Sequence, residues 1–368
     1  MKPVIAQILT KGVNGGVEAV VLNYCRHLSD SFHFIFLIEN ESEIVNSKVI
    51  NSIGGELVIV PPYKHLLEYT KFLKSFFLSR KDIQVVHSNL STMSFLPLRT
   101  AKKCHIPIRI SEAHSTDSKA EKLRSVLKHI FRHLTNRYLT DKFACSILAG
   151  EFQYGHSEVN NNNVFILPNA IEISRFRFSI DQRLKTRHKL GLSESDFVIG
   201  HIGRFVSQKN HAFLINIMKQ LNNKQIKLLL LGEGEKENEI RELVNQLGLQ
   251  SQVIFAGTTS HPEDYYSAFD LFCLPSLYEG LPVVAVEAQA NGLPLLLADT
   301  ITKECKILPT TFFLSISDIS SWVNKISQSL SSPKSRNVDI SLFSDFDIDV
   351  QKEKLRAKYF SLLEGKND

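Results

Sequence analysis

Short, unbroken runs of Val, Ile, Leu and Phe alternate with longer amphipathic stretches along almost the whole chain. That alternation limits the possible folds more than any other feature. In the first half the runs are VIAQIL (4–9), FHFIFLI (32–38), LVIV (57–60), IQVVHS (83–88), IPIRI (106–110), FACS (143–146) and VFIL (164–167). In the second half they are FVIGHIG (197–203), IKLLLLG (226–232), QVIFAG (252–257), DLFCLP (270–275) and PLLLA (294–298). A strand apolar on both faces is covered on both faces, which indicates a parallel sheet layered between helices. Two such sets in 368 residues predict an α/β chain of two doubly wound, Rossmann-like domains. The boundary falls near residues 168–190, where LPNAIEISRFRF leaves the last strand of the first set and DQRLKTRHKLGL opens a new helix. The stretch SSPKSRNVDIS (331–341) interrupts the pattern before a final helix, IDVQKEKLRAKYFSLLEG.

Composition removes several function classes. No segment approaches the roughly eighteen consecutive apolar residues of a membrane span. The apolar core of MKPVIAQILTKGVNGG is too short for a signal peptide and reads as a first strand. The five cysteines (25, 104, 145, 273 and 305) are scattered without CxxC spacing, as expected for reduced thiols in a cytoplasmic protein with no metal site. The net charge of +5 hides an asymmetry. Residues 64–142 carry 16 Lys and Arg against 6 Asp and Glu, a local +10. KHLLEYTKFLKSFFLSRK (64–81) and KAEKLRSVLKHIFRHLTNRY (119–138) dominate this excess, each with apolar residues at helical spacing between the cations. Packing on a sheet accounts for most of those apolar residues. The basic remainder suits an anionic membrane surface, and no nucleic-acid-binding motif accompanies it.

The stretch EGLPVVAVEAQANGLP carries Glu279 and Glu287, about two helical turns apart. It follows the buried strand DLFCLPS, and Pro282 suits the first turn of a helix. Two glutamates on a helix edge ordinarily form a solvated face, but Glu287 interrupts the apolar run VVAVEAQA. An inward charge needs a partner and so points to a site. Carboxylates accept sugar hydroxyls and helix N-termini attract phosphate, so the combination suits a phosphorylated sugar or a nucleotide. Two further loops leave the carboxyl ends of strands, where open α/β sheets bind ligands. In GRFVSQKNH (203–211), Arg204 and Lys209 together could neutralise a diphosphate. In LGEGE (231–235), Gly232 beside Glu233 lets backbone come close to a ligand.

In this order the loops resemble those of the retaining glycosyltransferases of family 4. The likeness extends over nearly the whole chain, and GRFVSQKNH, LLLLGEGE, LPSLYEGLPVVAVEAQANGLP and DTITKE are close to the bacterial exopolysaccharide and capsule branch. The resemblance implies the GT-B architecture, two facing Rossmann-like domains with a cleft between them. It implies an acceptor-side domain at 1–170, a nucleotide-sugar domain at 171–345 and a helix at 346–368 crossing back to the first domain. By the same resemblance Arg204 and Lys209 hold the donor diphosphate and Glu287 takes the ribose hydroxyls. Glu279, with the amides around Gly280 and Leu281, orients the donor sugar and its phosphate.

In VNGGVEAVV (13–21), Gly15 and Gly16 form a βα turn, and the resemblance adds that their amides face the donor phosphate. Glu18 belongs to the first helical turn, where it suits the helix dipole. HSNLS (87–91) and SEAHSTDS (111–118) follow strands, and His114 occupies the place where related sequences keep a histidine near the reacting sugar. Many of those read HSHN where this chain reads AHST, and PNAIE (168–172) stands in for PNGxD at a structural hinge.

The expected reaction is retaining transfer of a hexose-type sugar from a nucleotide-sugar, UDP-linked, to a hydroxyl of a polyprenyl-diphosphate-linked saccharide at the inner membrane face. No cofactor or metal is implied, and no DxD-type carboxylate cluster is present. A GT-B sugar-nucleotide epimerase would need further acid–base groups, and a silent sugar-nucleotide adaptor would not need the intact Arg204, Lys209, Glu279 and Glu287. A dinucleotide oxidoreductase is disfavoured because GVNGGVEAV does not fit GxGxxG.

Overall fold

The computed structural model describes residues 2–9, 16–39, 43–114, 131–330 and 335–365, with the side chains of 43–46 left aside. The chain divides into two compact units: Met1–Ile171 with Asp345–Asp368, and Glu172–Ser344. Gly15, residues 115–130 and residues 331–334 lie outside the described residues, and with them much of the second basic segment.

The first unit is built on a seven-stranded sheet. Its strands are β1 (Val4–Ile8), β2 (His33–Glu39), β3 (Glu56–Val60), β4 (Ile83–Ser88), β5 (Ile108–Ala113), β6 (Asp141–Ala144) and β7 (Phe165–Ile166), in the order β3-β2-β1-β4-β5-β6-β7. Every pairing is parallel. The order reverses at β1 and β4, so the loops after these two strands diverge and leave room at the sheet's carboxyl edge. Helix Leu66–Ser79 shows how the layers form. Tyr69, Leu73 and Phe77, at i, i+4 and i+8, enter the core with Ile8, Ile35 and Val86. Each such side chain contributes about 1.5–3 kcal/mol. Helix Ile348–Glu364 belongs to this unit too, capped by the Asp347 side chain and packed on helix Gly16–Leu28.

The second unit has six strands: β8 (Phe197–Ile202), β9 (Ile226–Leu231), β10 (Val253–Phe255), β11 (Leu271–Leu274), β12 (Leu295–Ala298) and β13 (Thr311–Leu314). Their order is β10-β9-β8-β11-β12-β13, again all parallel, and the switch point lies between β8 and β11. Leu228, Leu229, Leu230, Phe272, Cys273 and Leu274 are fully buried, as the unbroken apolar runs require.

Three details differ from the sequence reading. The edge strand β13 was missed, because TTFFLS pairs its apolar residues with polar neighbours. β5 begins two residues later and runs through Ser111, Glu112 and Ala113, so Glu112 is a buried strand residue and not part of a loop. Pro282 adopts an extended conformation ahead of helix Val283–Ala290, one residue before the first turn.

Candidate functional site

In the second unit three strand-end loops are tied together by backbone hydrogen bonds. After β8, Gly203 N–H donates to Leu231 O at 2.9 Å and Phe205 N–H donates to Glu233 O at 2.9 Å. This close seating explains Gly232, whose φ is +140° and where a Cβ would come within 2.1 Å of the Gly203 carbonyl oxygen. Gly232 thus lets the backbone of loop 203–205 come close. Glu233 is exposed and contributes its carbonyl to the same seam.

The far end of the 203–210 loop clamps onto the loop after β11. Leu277 N–H donates to Gln208 O at 2.8 Å, Gln208 Nε2 to Tyr278 O at 2.8 Å, and Asn210 Nδ2 to Pro275 O at 3.3 Å. Asn210 adopts a left-handed conformation (φ 55°, ψ 45°), which asparagine tolerates and which ends the loop before helix His211–Leu221. These clamps bring two of the sequence candidates into contact. Lys209 Nζ lies 2.6 Å from Glu279 Oε1, and Glu279 is only 9% exposed. Below them His211 stacks on Phe205 with ring centroids 4.1 Å apart. Burial and the nearby Lys209 push its pKa down to about 4, so it stays neutral. Arg204 is exposed on the same loop and engages no acceptor among the described residues. An exposed guanidinium on the same loop as an ammonium–carboxylate pair has the chemistry to bind an oligophosphate.

Gly280 and buried Leu281 lead into helix Val283–Ala290. Glu287 lies on that helix and accepts a 2.7 Å hydrogen bond from the Tyr266 hydroxyl. Burial pushes its pKa up to about 7, with the Tyr266 bond and Arg175 pulling it only partly back. Arg175 itself is paired with Glu263 at 2.8 Å. Among the described residues no cation contacts the Glu287 carboxylate.

The first unit places the remaining candidates. Gly16 opens helix Gly16–Leu28, and a Cβ there would meet nothing within 4 Å among the described residues. Its neighbour Gly15 lies outside those residues, and Glu18 is buried in the first turn. Residues 168–171 of PNAIE are bound to the first unit: Tyr24 donates to Pro168 O, Asn23 to Ala170 O and Ile171 N–H to Phe346 O. His114 follows β5 with its side chain 4% exposed. Its backbone N–H donates to Ser91 Oγ at 3.0 Å, and its Nε2 stands 3.3 Å from Asn89 Oδ1. Burial lowers its pKa, opposed by Glu112 and reinforced by His87. Sequence reasoning missed the residues beneath it: Glu112, His87, Asn89, Gln7 and Tyr359. The one available signal was Glu112 alternating with His114 along SEAH, which the early end assigned to the strand concealed. Tyr266, under Glu287, was missed as well.

Comparison with known proteins identifies the family and the fold. The family model of glycosyl transferases group 1 matches residues 182–339, the unit that carries Lys209, Glu279 and Glu287. EpsF of Bacillus subtilis, described as a glycosyltransferase, is 31% identical over 336 residues, covering 88% of this chain and 87% of that protein. The UDP-Gal:alpha-D-GlcNAc-diphosphoundecaprenol alpha-1,3-galactosyltransferase of Escherichia coli is 22% identical over 98% of both chains. The Anabaena protein HepE, solved with UDP and glucose, matches 97% of this chain and 99% of its own with a TM-score of 0.81 at 17% identity. That likeness shows the fold, the GT-B class of paired parallel units. On its identity to EpsF over most of both lengths, together with the family model, the chain belongs to the group 1 glycosyltransferases.

Proposed function

We propose that this glycosyltransferase works in surface-polysaccharide assembly. In this reading it moves a hexose-type sugar from a UDP-linked donor to a hydroxyl of a diphospholipid-linked saccharide, with retention at the anomeric carbon. The observation that carries the reading is the set of charges at the strand ends of the second unit: the Lys209–Glu279 pair, the unengaged Arg204, and a Glu287 carboxylate without a cation. Glu287 accepts the ribose hydroxyls. Lys209 and Arg204 take the negative charge that grows on the departing diphosphate, where one donor is typically worth roughly a hundredfold in rate or more. Glu279 holds Lys209 in place and meets the sugar. Among the described residues no side chain is placed as a covalent nucleophile, and in this reading the leaving phosphate itself takes the acceptor's proton on the face it leaves. His114, at the strand ends of the first unit, accepts a hydroxyl of the donor sugar.

The relatives support the choice of substrates. The E. coli protein's name gives UDP-galactose as donor and a diphosphoundecaprenol saccharide as acceptor. The name of a Campylobacter jejuni relative, 29% identical over 36% of this chain, also gives a diphospho-undecaprenol acceptor. Helix Leu66–Ser79 turns Leu67 (90% exposed) and Leu78 (51%) outward beside Lys71 and Lys74, a face suited to the anionic inner leaflet where such acceptors reside. No helix among the described residues is long and apolar enough to cross a membrane.

The test is nucleotide release from a panel of UDP-, GDP-, ADP- and dTDP-sugars, with and without membrane lipid extract, and Glu287→Ala as control. Lipid-stimulated UDP release that the substitution abolishes is the expected result. Conversion of the sugar without release would replace the reading with an epimerase. Thermal protection by sugar nucleotide with neither reaction would leave a binding adaptor.

A further inference from the structure

Six side chains, His114 among them, form a closed ring of contacts within the first unit, contributed by β1, β4, β5, the loops after β4 and β5, and helix Ile348–Glu364. Asn89 Nδ2 donates to Gln7 Oε1 at 2.9 Å, and Gln7 Nε2 donates to the Tyr359 hydroxyl at 3.2 Å. The Tyr359 hydroxyl lies 2.7 Å from His87 Nδ1, and His87 Nε2 lies 2.9 Å from Glu112 Oε2, a close contact outside hydrogen-bond geometry. His114 Nε2 closes the ring, 3.3 Å from Asn89 Oδ1 and 3.7 Å from Glu112 Oε1. Gln7, His87, Asn89 and Glu112 are each no more than 7% exposed, and Tyr359 is fully buried. The adjoining cavity is about 10 Å³, room for about one water and not for a sugar. The ring is therefore not itself a ligand pocket.

Its direction is fixed by Glu112. A buried carboxylate only accepts, so His87 must offer Nε2–H to it and keep Nδ1 bare. Nδ1 then accepts from the Tyr359 hydroxyl, whose oxygen accepts from the Gln7 amide. Gln7 Oε1 in turn accepts from Asn89 Nδ2, which leaves Asn89 Oδ1 toward His114. Running the ring the other way sets the His87 lone pair against the carboxylate. In the permitted direction His114 Nε2 faces two acceptors, Asn89 Oδ1 and Glu112 Oε1, and must carry the proton. His114 Nδ1 is left bare, buried and without a hydrogen-bond partner among the described residues. A bare Nδ1 is an acceptor for a hydroxyl and cannot donate.

We infer that Glu112 and Tyr359 are positioning residues that fix His114 in its Nε2–H tautomer, so that Nδ1 accepts a hydroxyl of the transferred sugar and the C-terminal helix helps set the chemistry. This rests on the reading of His114 given above. Tyr359 is the one member drawn from the C-terminal helix, and its ring is held independently by Phe32, with centroids 5.3 Å apart. The hydroxyl can thus be removed without removing the packing.

The experiment measures donor turnover and the ¹⁵N spectrum of histidine-labelled full-length protein for the wild type, Tyr359→Phe, Glu112→Gln and His114→Asn. The expected result is a wild-type His114 signal protonated at Nε2. Both ring variants shift it toward the other tautomer and lower kcat, with the donor KM within about twofold. The loss is about tenfold for Tyr359→Phe, the size of one broken buried hydrogen bond. It is about a hundredfold for Glu112→Gln, below the ~10⁴ that a wrong tautomer costs a proton-transferring histidine. An unchanged His114 tautomer in Tyr359→Phe overturns the inference whatever happens to the rate, because a merely structural role predicts that outcome. Full activity in His114→Asn would instead overturn the reading of His114, while the spectra still decide whether the ring sets the tautomer. Should Glu112→Gln fail to fold, Tyr359→Phe alone carries the test.

Discussion

Glu112 in the first unit and Glu287 in the second are both carboxylates withdrawn from water, and their surroundings push them in opposite directions. Burial raises both. Around Glu112 the neighbouring imidazoles of His114 and His87 more than offset burial, and its pKa falls below the ordinary range. Around Glu287 a tyrosine hydroxyl and a distant arginine do not, and its pKa reaches about 7. A carboxylate whose partners all come from the protein serves the protein's own order. One left short of partners is held for something that arrives later. On the proposed function, that difference separates the residue that sets up the chemistry from the residue that meets substrate.

The most direct way to break this contrast is Glu287→Ala. Two ribose hydroxyls bonded to a charged acceptor are each worth about 1.5–3 kcal/mol, so kcat/KM for the donor should fall by about a hundredfold or more. Single-turnover and steady-state kinetics on the sugar nucleotide decide it. A loss of only a few-fold would place the nucleoside elsewhere.

Stability separates the pair by sign. Glu112→Gln leaves His87 and His114 facing an amide, and breaking a buried charge network of this kind should destabilise the fold by about 3 kcal/mol in urea near neutral pH. Because the folded pKa of Glu112 is depressed, its contribution is present above the ordinary carboxylate range and is lost on acidification through the lower, folded value. Glu287 behaves the opposite way. With a folded pKa of about 7 against an ordinary 4.5, its ionisation weakens the fold progressively as pH rises from 4.5 to about 7. Its partial exposure reduces the effect, so Glu287→Gln should stabilise by about 1–2 kcal/mol above pH 7 while losing activity, as substitutions at ligand sites often do. Both variants moving the midpoint the same way would dissolve the distinction.

The two carboxylates also differ in how far the sequence revealed them. Glu287 was legible because it breaks the apolar run VVAVEAQA, and a charge inside such a run has no ordinary explanation. Lys209 and Glu279 were legible as neighbours of strand ends, although their 2.6 Å pairing depends on the Gln208 and Asn210 clamps, which connect residues about seventy positions apart. Glu112 was hidden. Ser111, Glu112 and Ala113 interrupt no apolar run, and only the pairing of β5 with β4 and β6 shows that they continue a strand. Tyr359 was hidden more deeply. On a helix that reads as amphipathic, its hydroxyl reaches Gln7 across 352 positions of sequence, a relation that no local pattern contains. Twelve strands were visible because unbroken apolar runs announce them, and β13 escaped because an edge strand half open to solvent carries no such run.

A pH titration of nucleotide binding sharpens the contrast at lower amplitude. Ribose hydroxyls need the ionised Glu287, so the apparent affinity for UDP scales with the ionised fraction. About one unit below a pKa of about 7 that fraction is roughly a tenth, and affinity should therefore rise about tenfold from pH 6 to a plateau above pH 8. Calorimetry in buffers of different ionisation enthalpy should show proton release on binding near pH 7, absent in Glu287→Gln. A flat profile in the wild type would mean that the carboxylate does not contact the nucleotide.

The smallest expected effect comes from a surface belonging to neither carboxylate. Leu67 is 90% exposed on helix Leu66–Ser79, whose opposite face buries Tyr69, Leu73 and Phe77. If that outer face enters the headgroup region of an anionic leaflet, one leucine contributes about 1.5–3 kcal/mol and each neighbouring lysine about 1. Leu67→Glu should then lower flotation with phosphatidylserine-containing vesicles severalfold and slow turnover on a vesicle-borne acceptor to the same extent. Donor affinity, the His114 tautomer and the urea midpoint should stay where they were, because the substitution alters nothing that the ring or Glu287 touches. A change in any of those three would show that the helix is coupled to the site, and the division of labour between the two carboxylates would then have to be redrawn around it.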